Sequence, residues 1–337
     1  HITQAEIDEV VDTLKSGWIT TGPKTKQFEK EIADFCGTNK SVTFNSATAG
    51  MELTLRLLGV GPGDEVITSA YTYTASASVI AHVGAKIVLV DSQKDSPEMD
   101  YTQLEQAITN KTKAIIPVDI AGIMCDYDKI FEIVERKKSM FVPNSKLQEE
   151  FGRVVVMADA AHSLGAKYKG KMSGSVADFS VFSFHAVKNL TTAEGGAVTW
   201  KSLPKTSCDE IYQDYLLYSL HGQTKDALSK NKPGAWEYDI VAPLYKNNMT
   251  DVHAAIGLSQ LRRYNEMLEQ REKLVKYYNE KLNDIKGITY LDHPMGDTQS
   301  SYHLYFIRVD NYEEEDRNVL INKLAEHGIS TNVHYKP

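Results

Sequence analysis

Lys188 is the residue of this sequence whose surroundings most favour covalent chemistry. It lies in the segment VFSFHAVKNLTTAEGGAV, after an apolar strand and close to Val187 and Leu190. Apolar surroundings lower the pKa of a lysine, and a neutral amine is a nucleophile that forms Schiff bases with carbonyl groups. A lone lysine in a loop is usually an ordinary surface residue. Its interpretation therefore depends on the side chains that the fold brings to it.

A second candidate, Asp159, follows the apolar run VVVMA, and His162 lies three positions further along. A carboxylate that ends a buried strand is poorly solvated and needs a cationic partner, such as a protonated pyridine nitrogen. The cap of a following helix would be an equally common role for it. His162 considered alone is more often a structural residue than a functional one.

Residues 45–48 (NSAT) join a predicted strand to a predicted helix. Free N–H groups and the helix dipole at such a junction attract phosphate, although simple capping by Ser46 would explain the same residues. Ser183 is a second possible phosphate donor. Tyr71 and Tyr73 end another predicted strand, and either ring could stack on a flat molecule.

These residue types are the ones that pyridoxal 5'-phosphate (PLP) requires: a lysine amine, an acid opposite the pyridine nitrogen, phosphate donors and a flat group against the ring. PLP accepts electrons from a substrate carbanion while the lysine moves the proton. Competing patterns are missing from the sequence, which has no P-loop, GxGxxG, GxSxG or HExxH, and its histidines lack metal-ligand spacing. We therefore predict a PLP site and no metal site.

The elements that must position these residues alternate along the chain. Six apolar segments are predicted to be strands, namely SVTFNS, EVITSAY, KIVLVD, TKAIIPVDI, VVVMADAAH and DFSVFSFH. Helical spacing separates them, and the first helix, over residues 4–16, places Ile7, Val10, Val11 and Leu14 on one face. Repeated β–α units favour a mostly parallel sheet covered by helices, which binds ligands at the carboxyl ends of its strands. The candidates named above lie at such ends.

The rest of the chain predicts a second, smaller unit. Thr250 is a predicted N-cap of a long amphipathic segment, and strand and helix signals follow it. We predict a large domain over residues 1–243 and a small α+β domain over residues 244–337. Residues 137–153 are predicted to form an excursion between a helix and the strand VVVMAD.

Composition argues against several classes of protein. The 337 residues carry a net charge of -8, which disfavours binding to nucleic acid or to an anionic membrane. No apolar run reaches the ~18 residues of a transmembrane helix. Cys36, Cys125 and Cys208 are widely spaced, which is typical of reduced thiols in a cytoplasmic protein.

Several segments resemble the DegT/DnrJ/StrS-type PLP-dependent nucleotide-sugar aminotransferases. The most specific are SGWITTGP, NSATAGMELTL, GPGDEVIT, KAIIPVDIAG, DAAHSLGA, FSFHAVKNLTTAEGGAV and NMTDVHAAIGLSQL, and the resemblance continues to STNVHYKP. It implies an α/β fold of the aspartate aminotransferase type (PLP transferase fold type I), with a mostly parallel seven-stranded sheet between helices. Because relatives continue beyond HYKP, it also implies that part of the small domain lies beyond Pro337.

The resemblance implies a role for each candidate. Lys188 matches the lysine that holds PLP as a Schiff base, and Asp159 matches the acid at the pyridine nitrogen. The further cofactor contacts that it implies are His162 near the phenolic oxygen, Ala47, Thr48 and Ser183 at the phosphate, and Tyr73 against the ring.

Lys246 falls where many relatives carry an asparagine that reaches the phosphate from the neighbouring subunit. Asn248 follows two residues later, as in relatives that resemble the 4-amino-4-deoxy-arabinose aminotransferases. The resemblance thus implies a homodimer with shared active sites. Asp119 stands where relatives often have His, and Leu244 replaces a usual glycine. These two departures concern substrate and loop geometry more than the chemistry.

We therefore expect a PLP-dependent aminotransferase that moves an amino group from an amino acid, glutamate by preference, to a nucleotide-linked keto-sugar for glycan or related amino-sugar synthesis. The segment SGWITTGP favours UDP-linked 4-keto-hexoses or pentoses. Two alternatives stay open: a PLP-dependent sugar dehydratase, whose relatives carry His in place of Lys188, and a catalytically inactive PLP-binding regulatory paralogue, which a DNA-binding region would support. A nucleotide-sugar oxidoreductase is disfavoured because the glycine fingerprint is missing.

Overall fold

The computed structural model describes residues 2–225 and 237–336, and its elements follow the predicted alternation. The strands are β1 Ser41–Phe44, β2 Glu65–Ser69, β3 Lys86–Val90, β4 Thr112–Ile116, β5 Val155–Asp159, β6 Lys167–Tyr168, β7 Lys171–Met172, β8 Phe179–Ser183, β9 Gly196–Trp200, β10 Ile288–Tyr290 and β11 Ile307–Val309. The α-helices are α1 Gln4–Ser16, α2 Pro23–Cys36, α3 Ala47–Leu57, α4 Thr74–His82, α5 Tyr101–Ala107, α6 Tyr127–Arg136, α7 Lys146–Phe151, α8 Cys208–Ser219, α9 Asp251–Arg262, α10 Tyr264–Leu282 and α11 Glu314–Glu326.

One seven-stranded sheet organises the fold, in the order β1-β9-β8-β5-β4-β2-β3. Neighbouring strands from β8 to β3 pair in parallel, whereas β9 pairs antiparallel with both of its neighbours. This confirms the predicted α/β fold with a mostly parallel seven-stranded sheet. The seventh strand, β9, is not among the six strands predicted individually, because it begins at a Gly-Gly pair that is typical of a turn.

Both faces of the sheet are buried except at the edge strand β3, where Ile87 is 37% and Leu89 is 56% exposed. Burial on both faces explains why the inner strands are continuously apolar. Adjacent residues of β8 point to opposite faces, so Phe182 joins one core cluster and Val181 the other. Phe28 of α2 belongs to the first cluster, and Tyr215 of α8 belongs to the second. The sheet is therefore held rigidly between helices, and its carboxyl edge is a fixed platform.

Helix α1 has the predicted bounds but buries its polar side. Glu6 is 1% exposed and bonds to Gln260 and Arg263, at the end of α9 and just beyond it. The apolar face predicted from the sequence is turned outwards instead, with Leu14 55% exposed and Ile7 48% exposed. The helix thus presents an apolar stripe that no part of the described chain covers.

The C-terminal third differs from the prediction in detail. The long segment after Thr250 is two helices, α9 and α10, which meet at Arg263. Helix α9 packs against α1 and α2, and β10 and β11 form a separate two-stranded sheet. The predicted domain division between residues 243 and 244 stays a prediction. Across residues 2–225 and 237–336, no helix is long and apolar enough to cross a membrane.

The excursion predicted over residues 137–153 contains a helix that the sequence did not reveal. Ser145 caps α7 by accepting a hydrogen bond from the Gln148 N–H group at 3.2 Å. The Gln148 side chain then donates to the Leu58 carbonyl oxygen at 2.8 Å. This connection is therefore fastened to the end of α3.

Candidate active site

Asp159 is the last residue of β5, at the carboxyl edge of the sheet. Its side chain is buried and accepts hydrogen bonds from the Ser76 hydroxyl at 2.6 Å and from the Ala161 N–H group at 3.2 Å. Burial raises the pKa of this carboxyl, and the two hydrogen bonds and the nearby charge of Lys188 oppose that rise. In the described part of the chain Asp159 forms no salt bridge, so it is a buried acid that a cationic partner would stabilise.

Lys188 lies in the loop that joins β8 to β9. Because β9 runs against β8, both ends of this loop meet at the same edge of the sheet, where the Phe184 N–H group donates to the Gly195 carbonyl oxygen at 2.8 Å. Burial lowers the pKa of the Lys188 amine, and the field of Asp159 opposes that shift. Within residues 2–225 and 237–336 its amine takes part in no hydrogen bond or ion pair. The fold thus brings together the two residues that the sequence singled out.

Two buried imidazole rings, those of His162 and His303, lie against each other with centroids 4.3 Å apart. The Nδ1 atom of His162 accepts a hydrogen bond from the Ala121 N–H group at 3.2 Å, which places its proton on Nε2. Nδ1 of His303 faces Oδ1 of Asn189 at 2.8 Å and therefore carries the proton itself. Burial, followed by nearby charges that include Lys188, holds the pKa of both rings well below the usual value. Both rings are neutral at pH 7.

The start of α3 offers free donors for an anion. Ser46 caps the helix by accepting from the Ala49 N–H group at 3.1 Å. The N–H groups of Ala47 and Thr48 have no hydrogen-bond partner among the described residues, as expected for the first turn of a helix. Ser183 ends β8 directly opposite Gly196 in the sheet register, and Gly196 in turn lies against the start of α3. Ser183 is therefore brought to the same place as Ala47 and Thr48.

Two tyrosines follow β2, and both lie beside Tyr335. The ring of Tyr73 is 6.0 Å from that of Tyr335, and the ring of Tyr71 is 5.9 Å from it. Tyr73 is 64% exposed, whereas the Tyr71 hydroxyl donates to the His334 carbonyl oxygen. Of the two rings, that of Tyr73 is the one left available to a ligand.

Lys246 and Asn248 contact each other through their side chains. Asn248 also donates to the Thr21 hydroxyl at 2.5 Å, and the Asn45 N–H group donates to the Asn247 carbonyl oxygen at 2.8 Å. This segment therefore lies beside the end of β1 in its own chain. Its reach into the site of a neighbouring subunit stays a prediction.

Asp119, noted in the sequence as a departure from the usual histidine, is buried beneath the site. Its carboxylate accepts hydrogen bonds from the Ser163 hydroxyl at 2.7 Å and from the Tyr127 hydroxyl at 2.9 Å. Burial raises its pKa to about 7, against the effect of these donors. With both oxygens occupied, Asp119 holds the loop after β4 and is not presented to a ligand.

Ser76, Asn189 and His303 are site residues that the sequence did not reveal. Ser76 is a small helical residue, and nothing in its segment marks it as a partner of Asp159, which lies 83 positions away. Asn189 directly follows Lys188 in the segment FSFHAVKNLTTAEGGAV, and this position could have marked it as a candidate site residue. His303 is one of several scattered histidines in the sequence, and its contacts with His162 and Asn189 set it apart.

These residues fit PLP. Among residues 2–225 and 237–336, no salt bridge neutralises the buried Asp159, the amine of Lys188 has no hydrogen-bond partner, and the first N–H groups of α3 are free to bind a phosphate. No group of three or more His, Cys, Asp or Glu side chains in the described residues could hold a metal ion.

Comparison with known proteins identifies the family of the chain. The profile of the DegT/DnrJ/EryC1/StrS aminotransferase family matches residues 1–337. A protein of Streptococcus pneumoniae assigned as a sugar aminotransferase, solved in its PMP form, superposes with a TM-score of 0.96 at 57% identity, over 100% of this chain and 84% of that one. Its PLP form gives a TM-score of 0.95 at 55% identity.

Two curated relatives are sugar-related as well. The Bacillus subtilis spore coat polysaccharide biosynthesis protein SpsC is 39% identical over 100% of this chain and 82% of its own length. The UDP-4-amino-4-deoxy-L-arabinose–oxoglutarate aminotransferase of Shewanella sediminis is 38% identical over 99% of this chain and 81% of its own length.

The fold, the site and these relatives together define a PLP-dependent aminotransferase of fold type I. Its sheet, its buried acid and its buried lysine match what that chemistry requires. The chain belongs to the DegT/DnrJ/EryC1/StrS aminotransferase family.

Proposed function

We propose that this aminotransferase moves an amino group from glutamate to a nucleotide-linked keto-sugar, specifically a UDP-linked 4-keto-hexose or pentose, for glycan or related amino-sugar synthesis. The observation that carries the proposal is the placement of a buried acid, Asp159, and the amine of Lys188 at one edge of the sheet. The directions of their pKa shifts support it. Burial lowers the pKa of Lys188, which favours a nucleophilic amine, and raises the pKa of Asp159, which favours a cationic partner for the acid.

When bound, PLP supplies a ring that accepts the electron pair released at the reacting carbon of the amino compound. Asp159 maintains a proton at the pyridine nitrogen. Lys188 would attach the cofactor through its amine and would carry the proton to and from the reacting carbon. His162 would donate its Nε2–H group to the phenolic oxygen, and this neutral donor would add no charge beside Lys188.

The phosphate and the ring have their own partners in this proposal. The free N–H groups of Ala47 and Thr48, together with the Ser183 hydroxyl, bind the phosphate. The exposed ring of Tyr73 packs against the cofactor ring. Lys246 and Asn248 complete the phosphate site of a second subunit.

Support for the substrate class comes from the relatives. The Shewanella sediminis relative is named for a UDP-linked 4-amino sugar and for oxoglutarate, the keto acid that corresponds to glutamate. The Bacillus subtilis relative is named for polysaccharide biosynthesis. Both names favour an amino sugar for a glycan, with glutamate as the donor.

A homodimer is also part of the proposal. The outward stripe of α1, formed by Ile7, Val11 and Leu14, is 39% to 55% exposed although its residues are apolar. A contiguous apolar surface of this kind marks an interaction site. A second copy of the chain would cover such a stripe and would bring its Lys246 to a neighbouring phosphate site.

The role of Lys188 is tested by spectroscopy of the purified protein. The absorbance band of PLP bound to a lysine amine is expected, and borohydride is expected to fix the cofactor on Lys188, as located by mass spectrometry. Lys188→Ala should lose the band. Lys201→Ala is the matched control, because burial lowers the pKa of Lys201 as well. A band that survives in Lys188→Ala contradicts the assignment, and its loss in Lys201→Ala would point to Lys201 instead.

The substrate is tested by adding each reactant in turn. Glutamate should convert the band to the pyridoxamine form, and a UDP-linked 4-keto-sugar should restore it. If glutamate does not convert the band and another amino acid does, the proposal that glutamate is the amino donor is wrong. Restoration by a 3-keto-sugar alone would overturn the position of amination.

A further inference from the structure

The side chain of Asn189, the residue after Lys188, is held at both ends of its amide group. Its Nδ2 donates to the Ser301 carbonyl oxygen at 2.8 Å, and its Oδ1 accepts from Nδ1 of His303 at 2.8 Å. Because a carbonyl oxygen only accepts, the first contact fixes which end of the amide is nitrogen. The second contact then fixes the proton of His303 on Nδ1. Asn189 and His303 are both buried, so water competes little with this bond.

The segment that supplies His303 is itself fixed to the loop after β4. The N–H groups of Ser301 and His303 donate to the carbonyl oxygens of Gly122 and Ala121, each at 3.0 Å. A Cβ atom on Gly122 would lie 2.1 Å from Oγ of Ser301, and its φ is +91°. Only glycine allows this close approach and this backbone conformation. The position of His303 is therefore set by the loop that follows β4.

We propose that His303 is a positioning residue for Lys188 that acts through Asn189. The inference rests on the proposed role of Lys188. The loop from residue 184 to residue 195 is tied to the sheet at its ends, and the Asn189 amide ties its middle. A lysine amine sits on a flexible four-carbon stem, so a fixed backbone beside it narrows the positions that the amine can reach.

Histidine suits this position because it donates a hydrogen bond without adding a charge. The charged and titratable neighbours of His303 are Lys188, Arg271, His334 and His162. A lysine or arginine donor would place another cation among them. A neutral imidazole holds Asn189 and leaves the field at Lys188 unchanged.

Three substitutions separate positioning from direct contact. His303→Phe keeps a ring against His162 but removes the hydrogen-bond donor to Asn189. His303→Asn keeps a donor at the position of Nδ1. His303→Gln keeps a polar group at the position of Nε2 instead. We expect His303→Phe to slow the reaction of Lys188 with added PLP, and to lower kcat, by roughly 10- to 100-fold with little change in KM for the sugar. His303→Asn should restore most of both rates.

The result that overturns the proposal is rescue by His303→Gln together with failure of His303→Asn, since that pattern means that Nε2 contacts a ligand directly. A double-mutant cycle gives an independent test. Asn189→Ala removes the bond to His303 and also the bond to Ser301, so it should be at least as slow as His303→Phe. The double variant should be no slower than Asn189→Ala alone, because the bond to His303 is already lost in it. Multiplied effects would also overturn the proposal.

Nitrogen-15 NMR of the ligand-free protein provides a readout that needs neither cofactor nor substrate. His303 should show the Nδ1–H tautomer and His162 the Nε2–H tautomer, and an Nε2–H tautomer at His303 would contradict the inference. If Lys188→Ala keeps the cofactor band, the assignment of Lys188 fails. If Lys188→Ala loses the band while His303→Phe behaves as the unaltered protein, only the inference on His303 fails.

Discussion

A Cβ atom on Gly196 would lie 2.4 Å from the backbone nitrogen of Ala47. Gly196 is the first residue of β9 and Ala47 is the first residue of α3, so the absence of a side chain lets the strand reach the start of the helix. The free N–H groups of the proposed phosphate site are thereby placed beside Ser183. A residue that looks like part of a simple turn thus shapes the anion site.

Gly196→Ala is expected to displace the start of α3 and to weaken PLP binding by roughly 10-fold or more, because the new methyl group would overlap backbone atoms that cannot yield. PLP titration followed by absorbance measures the effect. Gly61→Ala is the control, since a Cβ there would meet only the Val83 carbonyl oxygen at 3.9 Å. Equal affinities in the two variants would contradict the expected role of Gly196.

Ser76→Ala should alter the pH dependence of the reaction through Asp159. The hydroxyl of Ser76 lowers the pKa of Asp159 against the effect of burial, so its removal raises that pKa. Because the ionised form of Asp159 is the one proposed to act, the acidic limb of kcat/KM should move to higher pH. Ser76→Thr, which keeps the hydroxyl, should leave the limb in place. If the acidic limb of kcat/KM is unchanged in Ser76→Ala, Ser76 does not influence the ionisation of Asp159.

The ionisation of Glu6 should make the free energy of unfolding depend on pH in the acidic range. Burial acts to raise its pKa, but hydrogen bonds from Thr3 and the contact with Arg263 outweigh it and lower the pKa from 4.5 to about 2. A lowered pKa in the folded state means that the stabilisation is fully present above pH 4.5 and is lost as the pH falls towards 2.

Glu6→Gln is therefore expected to lower the free energy of unfolding by about 1–3 kcal/mol at pH 7, since it weakens hydrogen bonds to a charged group. The difference should shrink below pH 4.5. Urea unfolding at several pH values measures it, and Glu280→Gln, at an exposed position, serves as the control. A difference that stays constant from pH 7 to pH 3 would rule out ionisation as its source.

Leu14→Glu should dissociate the proposed dimer, because it replaces the most exposed residue of the apolar stripe of α1 with a charge. Sedimentation velocity over a range of protein concentrations measures the association. Lys15→Glu introduces the same carboxylate at the next, also exposed, position outside the stripe and should leave association intact. If both variants associate as the unaltered chain does, the stripe is not the dimer surface.

Much of the site could be predicted because its chemistry lies at the ends of strands. Asp159 follows a run of apolar residues that is recognisable without any partner, and β5 ends at that residue. Lys188 and the start of α3 are marked in the same way, by polar residues next to apolar segments. A polar residue after an apolar segment indicates the end of a strand, and the strands of the sheet are formed by these same apolar segments.

The rest depends on contacts between distant parts of the chain. Ser76 and Asp159 are 83 positions apart, and Asn189 and His303 are 114 apart. The outward face of α1 could not be foreseen either, because the helical period shows that one face is apolar but not which face the protein covers. Burial of Glu6 is compensated by the charge of Arg263 and by hydrogen bonds from Gln260 and Thr3.

The reversed direction of β9 has a consequence for the order in which the site assembles. Strands β8 and β9 form a hairpin, so the loop that carries Lys188 closes over a short stretch of chain, and short loops cost little conformational entropy to close. The hydrogen bonds that hold the Asn189 side chain come from Ser301 and His303, which lie more than a hundred positions later in the sequence. Contacts of high sequence separation form slowly. During synthesis the loop that carries Lys188 can therefore reach the carboxyl edge of the sheet before the segment with Ser301 and His303 has left the ribosome.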